Sequence, residues 1–439
     1  MAGVPVSPSE FGPIEGVFRP EALGHTVAIR GWVLRSRSSG GILFISLRDR
    51  TGVVQVTGRK DALGEDAFTA AEHVQNEGAI VVEGVVAEDR RAPGGREVRA
   101  SRIGVLDAGE PYPIFQEQTE EFRLDKRHLV IRSQDHVATF RVKAELLRAF
   151  REFMDREAVL EVTPPILSGN AAEGGAEAFE IDYFGRPGYL SQTAQLYLEA
   201  LLVPHERVYA LTPSFRAEKM RTPRHLTEYL HLEGELAWTD LDGLLVFIER
   251  MVEYVCHAIA ERRPQELHQL GRAPEDLAAI RAPFERVTYA EALDELQKKG
   301  FPITWGADFG TAEERALTIE RTSPIFITRF PRELKAFYML RSADDPRTVE
   351  GADLLAPEGY GEIVGASCRE TSLKNLLERL AQLGIDPQQY EWYLDLRRHG
   401  NVEHAGFGLG VERILRWMLR REHIRDTTPF PRTPSRHTP

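Results

Sequence analysis

Arg216, Lys219, Arg221, Arg224 and His225 fall within one short stretch, Val208 to Trp238 (VYALTPSFRAEKMRTPRHLTEYLHLEGELAW), beside the carboxylates Glu218 and Glu233. A strand-like run leads into this charged segment and another leads out, so the cations sit at the tip of a hairpin. Cations placed there can grip a polyphosphate, and arginine does so with a planar two-pronged fork. An ordinary solvated loop is the alternative for any such charge run. A second stretch, Asn401 to Leu419 (NVEHAGFGLGVERILRWML), is a glycine-rich strand running into a helix that carries Arg413. Taken alone it is equally a buried amphipathic helix with a surface arginine. Asp353 and Glu362, taken by themselves, read as ordinary strand-end acids. The chain lacks GxxxxGK[ST], HExxH and a GxGxxG following a strand. If ATP is used, its site is not a standard phosphate loop.

The elements that must position these residues fall into two parts. The first reads as all-β: Thr26–Trp32, Ile42–Leu47, Val53–Val56, Ala79–Val86 and Glu97–Leu106 are short strands, and five such strands predict a small barrel over residues 1–106. Gly and Pro in Asp107–Ile114 (DAGEPYPI) mark a linker, placed at 107–134. The second part, 135–439, mixes helices and strands without regular alternation. That predicts an α+β domain, an antiparallel sheet flanked by helices. Its long helices are Val137–Ala158 and Leu241–Arg262. Strands are expected near Val208–Leu211, Leu230–Trp238, Phe337–Met339, Gly361–Ala366 and Gly406–Leu409. Residues 263–319 read as an insertion with one small helix, Ala290–Lys299.

The whole chain, 439 residues with 42% hydrophobic and 28% charged content, fits a globular protein of two or more domains. No apolar run reaches membrane-span length, and the first twenty residues lack a signal-peptide pattern. Two cysteines, Cys256 and Cys368, exclude a disulfide framework, and a cytoplasmic location is expected. The net charge of −12 argues against coating nucleic acid through bulk charge, but Arg30, Arg35 and Arg37 form a local cationic group.

Phe215-Arg216-Ala217-Glu218, then a variable loop, then Arg224-His225-Leu226-Thr227-Glu228-Tyr229, resembles motif 2 of the class II aminoacyl-tRNA synthetases, in the branch that charges aspartate, asparagine and lysine. The glycine-rich stretch before Arg413 resembles motif 3, and a long helix followed by Val162-Thr163-Pro164 resembles motif 1. The resemblance implies ATP as substrate with Mg2+, an N-terminal OB-type anticodon-binding barrel and a homodimer. It implies that Arg216 bridges the α-phosphate and the amino-acid carboxylate and that Glu218 accepts from the adenine amino group. Tyr229 stacks on adenine, Gly408 and Gly410 let the ring lie against backbone, and Arg224 and His225 lie near the β- and γ-phosphates. Arg413 reaches the γ-phosphate, Asp353 and Glu362 hold Mg2+, Glu173 faces the α-amino group and Gln195 faces the amino-acid pocket.

Three positions bear on the amino acid. Aspartyl enzymes carry a lysine where this chain has Leu198, and an aspartate where it has Glu233, while Arg369 remains to donate to a side-chain oxygen. A carboxylate at 233 can accept from an amide and repels a second carboxylate. PRELKAFYM (331–339) and WYLDLRRHG (392–400) also resemble asparaginyl-tRNA synthetases. Asparagine and tRNA(Asn) are therefore the expected substrates. On the barrel the match places Phe44 under the middle anticodon base, Gln55 at its edge and Arg30 at anticodon phosphates or bases. An aspartyl enzyme of relaxed tRNA choice, a tRNA-free amidating relative and a non-catalytic RNA-binding paralogue are the alternatives.

Overall fold

Alternation of apolar and polar residues shapes the first of two units into which the chain divides, Met1–Gln118 and Thr119–Pro439. The computed structural model describes residues 11–115, 117–169, 178–219 and 222–439. In the first unit β1 (Thr26–Ser39), β2 (Ile42–Arg48), β3 (Val53–Arg59), β4 (Ala79–Glu88) and β5 (Arg96–Asp107) close into a barrel in the order β1-β2-β3-β5-β4. All its pairings are antiparallel except β3 with β5. Along β2, Leu43, Ile45 and Leu47 turn inward, and Phe44 and Ser46 turn outward. Each large apolar side chain buried this way stabilises the barrel by about 1.5–3 kcal/mol. β1 continues past the expected end at Trp32. A bulge between Val33 and Arg35 shifts its register, so Arg30 before it and Arg35 and Arg37 after it are all exposed.

The second unit holds β6 (Leu160–Glu161), β7 (Leu167–Ser168), β8 (Glu180–Tyr183), β9 (Arg186–Leu190), β10 (Arg207–Phe215), β11 (Glu228–Ala237), β12 (Glu285–Thr288), β13 (Ile325–Thr328), β14 (Gly351–Ala356), β15 (Gly361–Cys368) and β16 (His404–Gly410). Eight of them form one sheet, ordered β12-β13-β14-β15-β16-β11-β10-β6, and β7-β9-β8 form a small second sheet. The large sheet is antiparallel from β13 to β10, as expected, but both edge strands, β12 and β6, run parallel to their neighbours. Helices Gln134–Arg156 and Leu241–Arg262 start at Ser133 and Asp240, whose side chains cap the first turn. Their apolar faces, with Leu146, Phe150, Ile248 and Val252, pack against Leu232, Leu354, Phe407 and Leu409 of the sheet. This covers one face of the sheet.

Three expectations are corrected. Phe337–Met339 is not a strand: Phe337 and Tyr338 pack with Tyr390 and Tyr393, and only Met339 makes an isolated bridge, to Arg369. Residues 263–319 hold more than the one small helix expected: β12 is the sheet's edge strand, and helices Pro264–Gln269, Pro274–Ala278 and Thr311–Thr318 accompany Tyr289–Lys298. The stretch 107–134 is not all linker. It contains helices Glu120–Asp125 and Arg127–Val130, and buried Arg127 donates to the carbonyls of Arg425, Thr428 and Pro429.

Candidate active site

Strand periodicity decides which side chains reach the uncovered face. On β11, Leu232 and Leu236 join the helix-side core, which leaves Tyr229, His231, Glu233 and Glu235 on the opposite face. On β16, Ala405, Phe407 and Leu409 go to the core, so Gly406, Gly408 and Gly410 face the other way. A cavity of about 730 Å³ opens over this face. It brings together Gln195, Arg216, Glu218, Arg224, His225, Tyr229, Glu233, Asp353, Glu362, Arg369, Gly408, Gly410 and Arg413. In register, Glu233 stands opposite Gly408, which stands opposite Gly365. A Cβ on Gly408 would lie 2.6 Å from His231 Nε2, and one on Gly406 would overlap the Glu235 carboxylate. At Gly410 a Cβ would only touch the Arg413 stem, at 3.5 Å. The chain itself therefore leaves room for a side chain at 410.

At one end of the cavity the hairpin β10–β11 projects its cations. The Arg216 guanidinium lies 4.0 Å from Glu218 and 5.8 Å from the centre of the Tyr229 ring. Arg224 pairs with Glu314, which also accepts from the Glu362 backbone at 2.8 Å. Arg413 donates to Glu362 at 2.9 Å. His225 differs from its expected part in a cationic group. Burial, with Arg413 and Arg224 beside it, lowers its pKa to about 4, so at neutral pH it offers a hydrogen bond and no charge.

Asp353 and Glu362 sit on adjacent strands, and a Cβ on Gly365 would be 3.8 Å from an oxygen of each. Their environments separate them. Burial, opposed by Lys335 but reinforced by Glu362, raises Asp353 to about 6. Burial also pushes Glu362 upward, yet Arg413, Lys335 and Arg224 outweigh it and hold Glu362 at about 2. Lys335 Nζ reaches Asp353 at 2.7 Å and rests 3.8 Å from the Phe330 ring centre. Two hard oxygen donors converging beside arginines that can hold phosphate suit a magnesium ion.

The other end is built on Glu233 and Arg369, both buried. Glu233 accepts from the Thr193 hydroxyl and from the Ala194 backbone at 2.8 Å, with His231 Nδ1 at 3.3 Å. Burial alone would raise its pKa, but His231, Thr193 and Ala194 together hold it below the ordinary glutamate value. Arg369 pairs with Glu235, donates to Ser367 Oγ at 2.6 Å and lies over the Tyr338 ring.

Leu198 does not line the cavity. It is fully buried with Ala194, Leu202, Val208 and Ala210, so its bearing on the pocket is the charge it does not bring. Glu173 and Arg221 lie outside the described residues. Sequence reasoning assigned no role to Glu235, Lys335 or Glu314. Glu235 was within reach, two residues after Glu233 on the same strand face. Lys335 lies in the run PRELKAFYM, and nothing local marks Glu314. On the barrel, Phe44 faces outward, with the Arg37 guanidinium 4.7 Å from its ring centre. Gln55 is also outward and donates to Glu97 at 3.2 Å. Exposed Arg30 lies 5.7 Å from the Phe11 ring.

The family of class II tRNA synthetases (D, K and N) matches residues 119–434, and an OB-fold nucleic acid binding domain matches residues 27–106. The chain belongs to the class II tRNA synthetases. An asparagine–tRNA ligase of Thermococcus gammatolerans is 47% identical over 421 residues, 96% of this chain and 98% of that protein. The crystal structure of asparaginyl-tRNA synthetase from Pyrococcus horikoshii complexed with asparaginyl-adenylate superposes with a TM-score of 0.95 at 45% identity, covering 98% of this chain and all of that one. An asparaginyl-tRNA synthetase of Entamoeba histolytica, in complex with asparaginyl-adenylate, gives 0.87 at 30% identity, with 95% and 97% covered. This class II synthetase is thus an enzyme with an OB-fold barrel and a catalytic unit. No helix among its described residues is long and apolar enough to cross a membrane.

Proposed function

We infer that this synthetase activates asparagine with ATP to asparaginyl-adenylate and transfers the asparagine to the 3′ end of tRNA(Asn). The observation that carries the choice of amino acid is the state of charge at the inner end of the cavity. Arg369 is already compensated by Glu235, Glu233 adds a carboxylate, and Leu198 supplies no cation. A neutral carboxamide can donate to Glu233 and accept from Arg369. A second carboxylate would face Glu233 without a free positive charge, which costs several kcal/mol, on the order of a thousand-fold in discrimination.

The amino-acid carboxylate attacks the α-phosphorus in line and pyrophosphate leaves, so no protein nucleophile is needed. Arg216 holds the α-phosphate against the carboxylate, Arg413 meets the γ-phosphate, and Arg224 and neutral His225 donate to the terminal phosphates. Glu218 and Tyr229 hold adenine, with Gly408 and Gly410 beneath it. Positioning and charge neutralisation account for the rate. Asp353 and Glu362 would hold Mg2+, which supplies further neutralisation of phosphate charge. On the barrel, Phe44 stacks a base, Gln55 reads its edge and Arg30 meets the backbone. The setting is cytoplasmic. The protein pairs as a homodimer through the motif 1 region, where Leu160 on the edge strand β6 is exposed. Sedimentation at a single subunit mass would remove the dimer.

ATP–pyrophosphate exchange with asparagine, with aspartate and with neither tests the reaction. Asparagine alone should stimulate it. Stimulation by aspartate and not asparagine overturns the reading.

A further inference from the structure

Beneath the inner end of the cavity lies a layer of buried charge to which no role has been given. Glu199, on the helix Gln195–His205, has its side chain 1% exposed, as does its partner Arg397. The Glu199 carboxylate accepts from Arg397 at 2.7 Å, from the Tyr393 hydroxyl at 2.8 Å and from Gln195 Nε2 at 3.0 Å. His404 Nε2 stands 3.1 Å away, while its Nδ1 is 2.7 Å from the Val402 carbonyl. Oxygens of Glu199 and Glu235 and a nitrogen of His404 gather within 4.8 Å of one another. Arg397 and Arg369 already neutralise those carboxylates, so the cluster is an ion network and not a cation site.

Stability does not account for such a layer. Burying ions is costly, and packed apolar residues of the same volume often serve a fold as well or better. The layer supplies direction instead. Two of its members, Gln195 and Arg369, also line the cavity. A glutamine amide can present either its oxygen or its NH2. An ionised carboxylate only accepts, so Glu199 takes the NH2 of Gln195 and turns the amide oxygen the other way. Thr193 ties this arrangement to the specificity carboxylate. Its hydroxyl accepts from the Gln195 backbone at 3.1 Å and donates to Glu233.

We propose that Glu199 is a positioning residue for amino-acid binding: it fixes the Gln195 amide with its carbonyl oxygen toward the cavity, as an acceptor for an N–H of the bound amino acid. This rests on the reading of the inner end as the amino-acid pocket.

The test is a double-mutant cycle of Glu199→Gln and Gln195→Ala in the full-length protein, read as KM for the amino acid and KM for ATP in pyrophosphate exchange. Either single change raises the amino-acid KM about ten-fold, the worth of one hydrogen bond to a charged group. ATP KM stays level, and the double variant is no worse than Gln195→Ala alone. Additive losses near a hundred-fold, or an ATP KM that rises in step, overturn the proposal. Glu199→Asp keeps the charge beside Arg397 but withdraws it from Gln195, so it covers the case in which Glu199→Gln does not fold. The same ten-fold rise is expected, and an unchanged KM overturns the proposal. If the unmodified protein responds to aspartate and not asparagine, the substrate reading fails by itself. The cycle then runs with aspartate, which shares the α-ammonium.

Discussion

Arg216 and Arg369 are both cavity arginines, yet they are held in opposite ways. The Arg216 side chain is 31% exposed and its carboxylate neighbour is 4.0 Å away, whereas Arg369 is 5% exposed and closed against Glu235. Arg216 thus reaches into the open cavity, whereas Arg369 would meet the carboxamide from a fixed place in the wall. Arg216→Ala should lower asparagine-dependent exchange about 10²–10³-fold, the usual effect of removing one preorganised donor, and leave the denaturation midpoint unchanged. Retained exchange would take Arg216 out of the reaction. Arg369→Ala should behave differently, because it leaves Glu235 as an unpaired buried charge. A loss of about 3–5 kcal/mol in stability is expected, measured by urea unfolding. An equally stable variant would mean that Glu235 is neutral in the folded protein.

At the scale of elements, the glycine strand β16 carries two demands that the sequence presents as one. Gly408 is required by the chain, since a methyl group would press on His231. Gly410 is not, since its backbone is extended and a methyl group would meet only the Arg413 stem. Gly408→Ala should therefore cost about 1–3 kcal/mol of stability as well as activity. Gly410→Ala should leave thermal unfolding alone and raise KM for ATP. An unchanged ATP KM would remove Gly410 from the adenine site. The hairpin and β16 were legible in the sequence because their charges and glycines sit close together along the chain. The partners across the sheet were not. β13 and β12 are four residues each, too short for a period to show, and β14 has no clear alternation in Gly351–Ala356, so Asp353 stood out only through the family resemblance. Phe337–Met339 reads as a strand because an apolar aromatic run looks the same whether it packs on a sheet or, as here, on Tyr390 and Tyr393. Glu314 could not be found at all, since Arg224 reaches it across ninety residues of chain.

The whole molecule divides its work between two units, and the division can be measured. Phe44→Ala should cut tRNA charging about ten- to a hundred-fold, the worth of one stacked base, and leave exchange untouched. Equal losses in both would make Phe44 structural. The catalytic unit also carries a pH dependence that its net charge does not reveal. His225 is depressed to about 4 by burial and by Arg413 and Arg224, and His136 to about 3 by burial and by Arg127 and Arg123. Both folded values lie below the free-histidine value of about 6.5, so the unfolded chain takes up these protons first as pH falls. Their contribution is whole above pH about 6.5 and drains away as pH falls toward about 4 and about 3 respectively. His225 is partly open to solvent in the cavity, so its share between pH about 6.5 and 5 is discounted for screening to about 1 kcal/mol. In thermal unfolding, His225→Gln should therefore show a smaller drop in Tm between pH about 7.5 and 5 than the unmodified protein, by about 1–2 °C. A bound polyphosphate offsets this depression at His225, because anions beside it favour its charged form. With ATP present the two proteins should lose Tm in parallel on acidification. A difference that persists unchanged under saturating ATP would place His225 away from the phosphates.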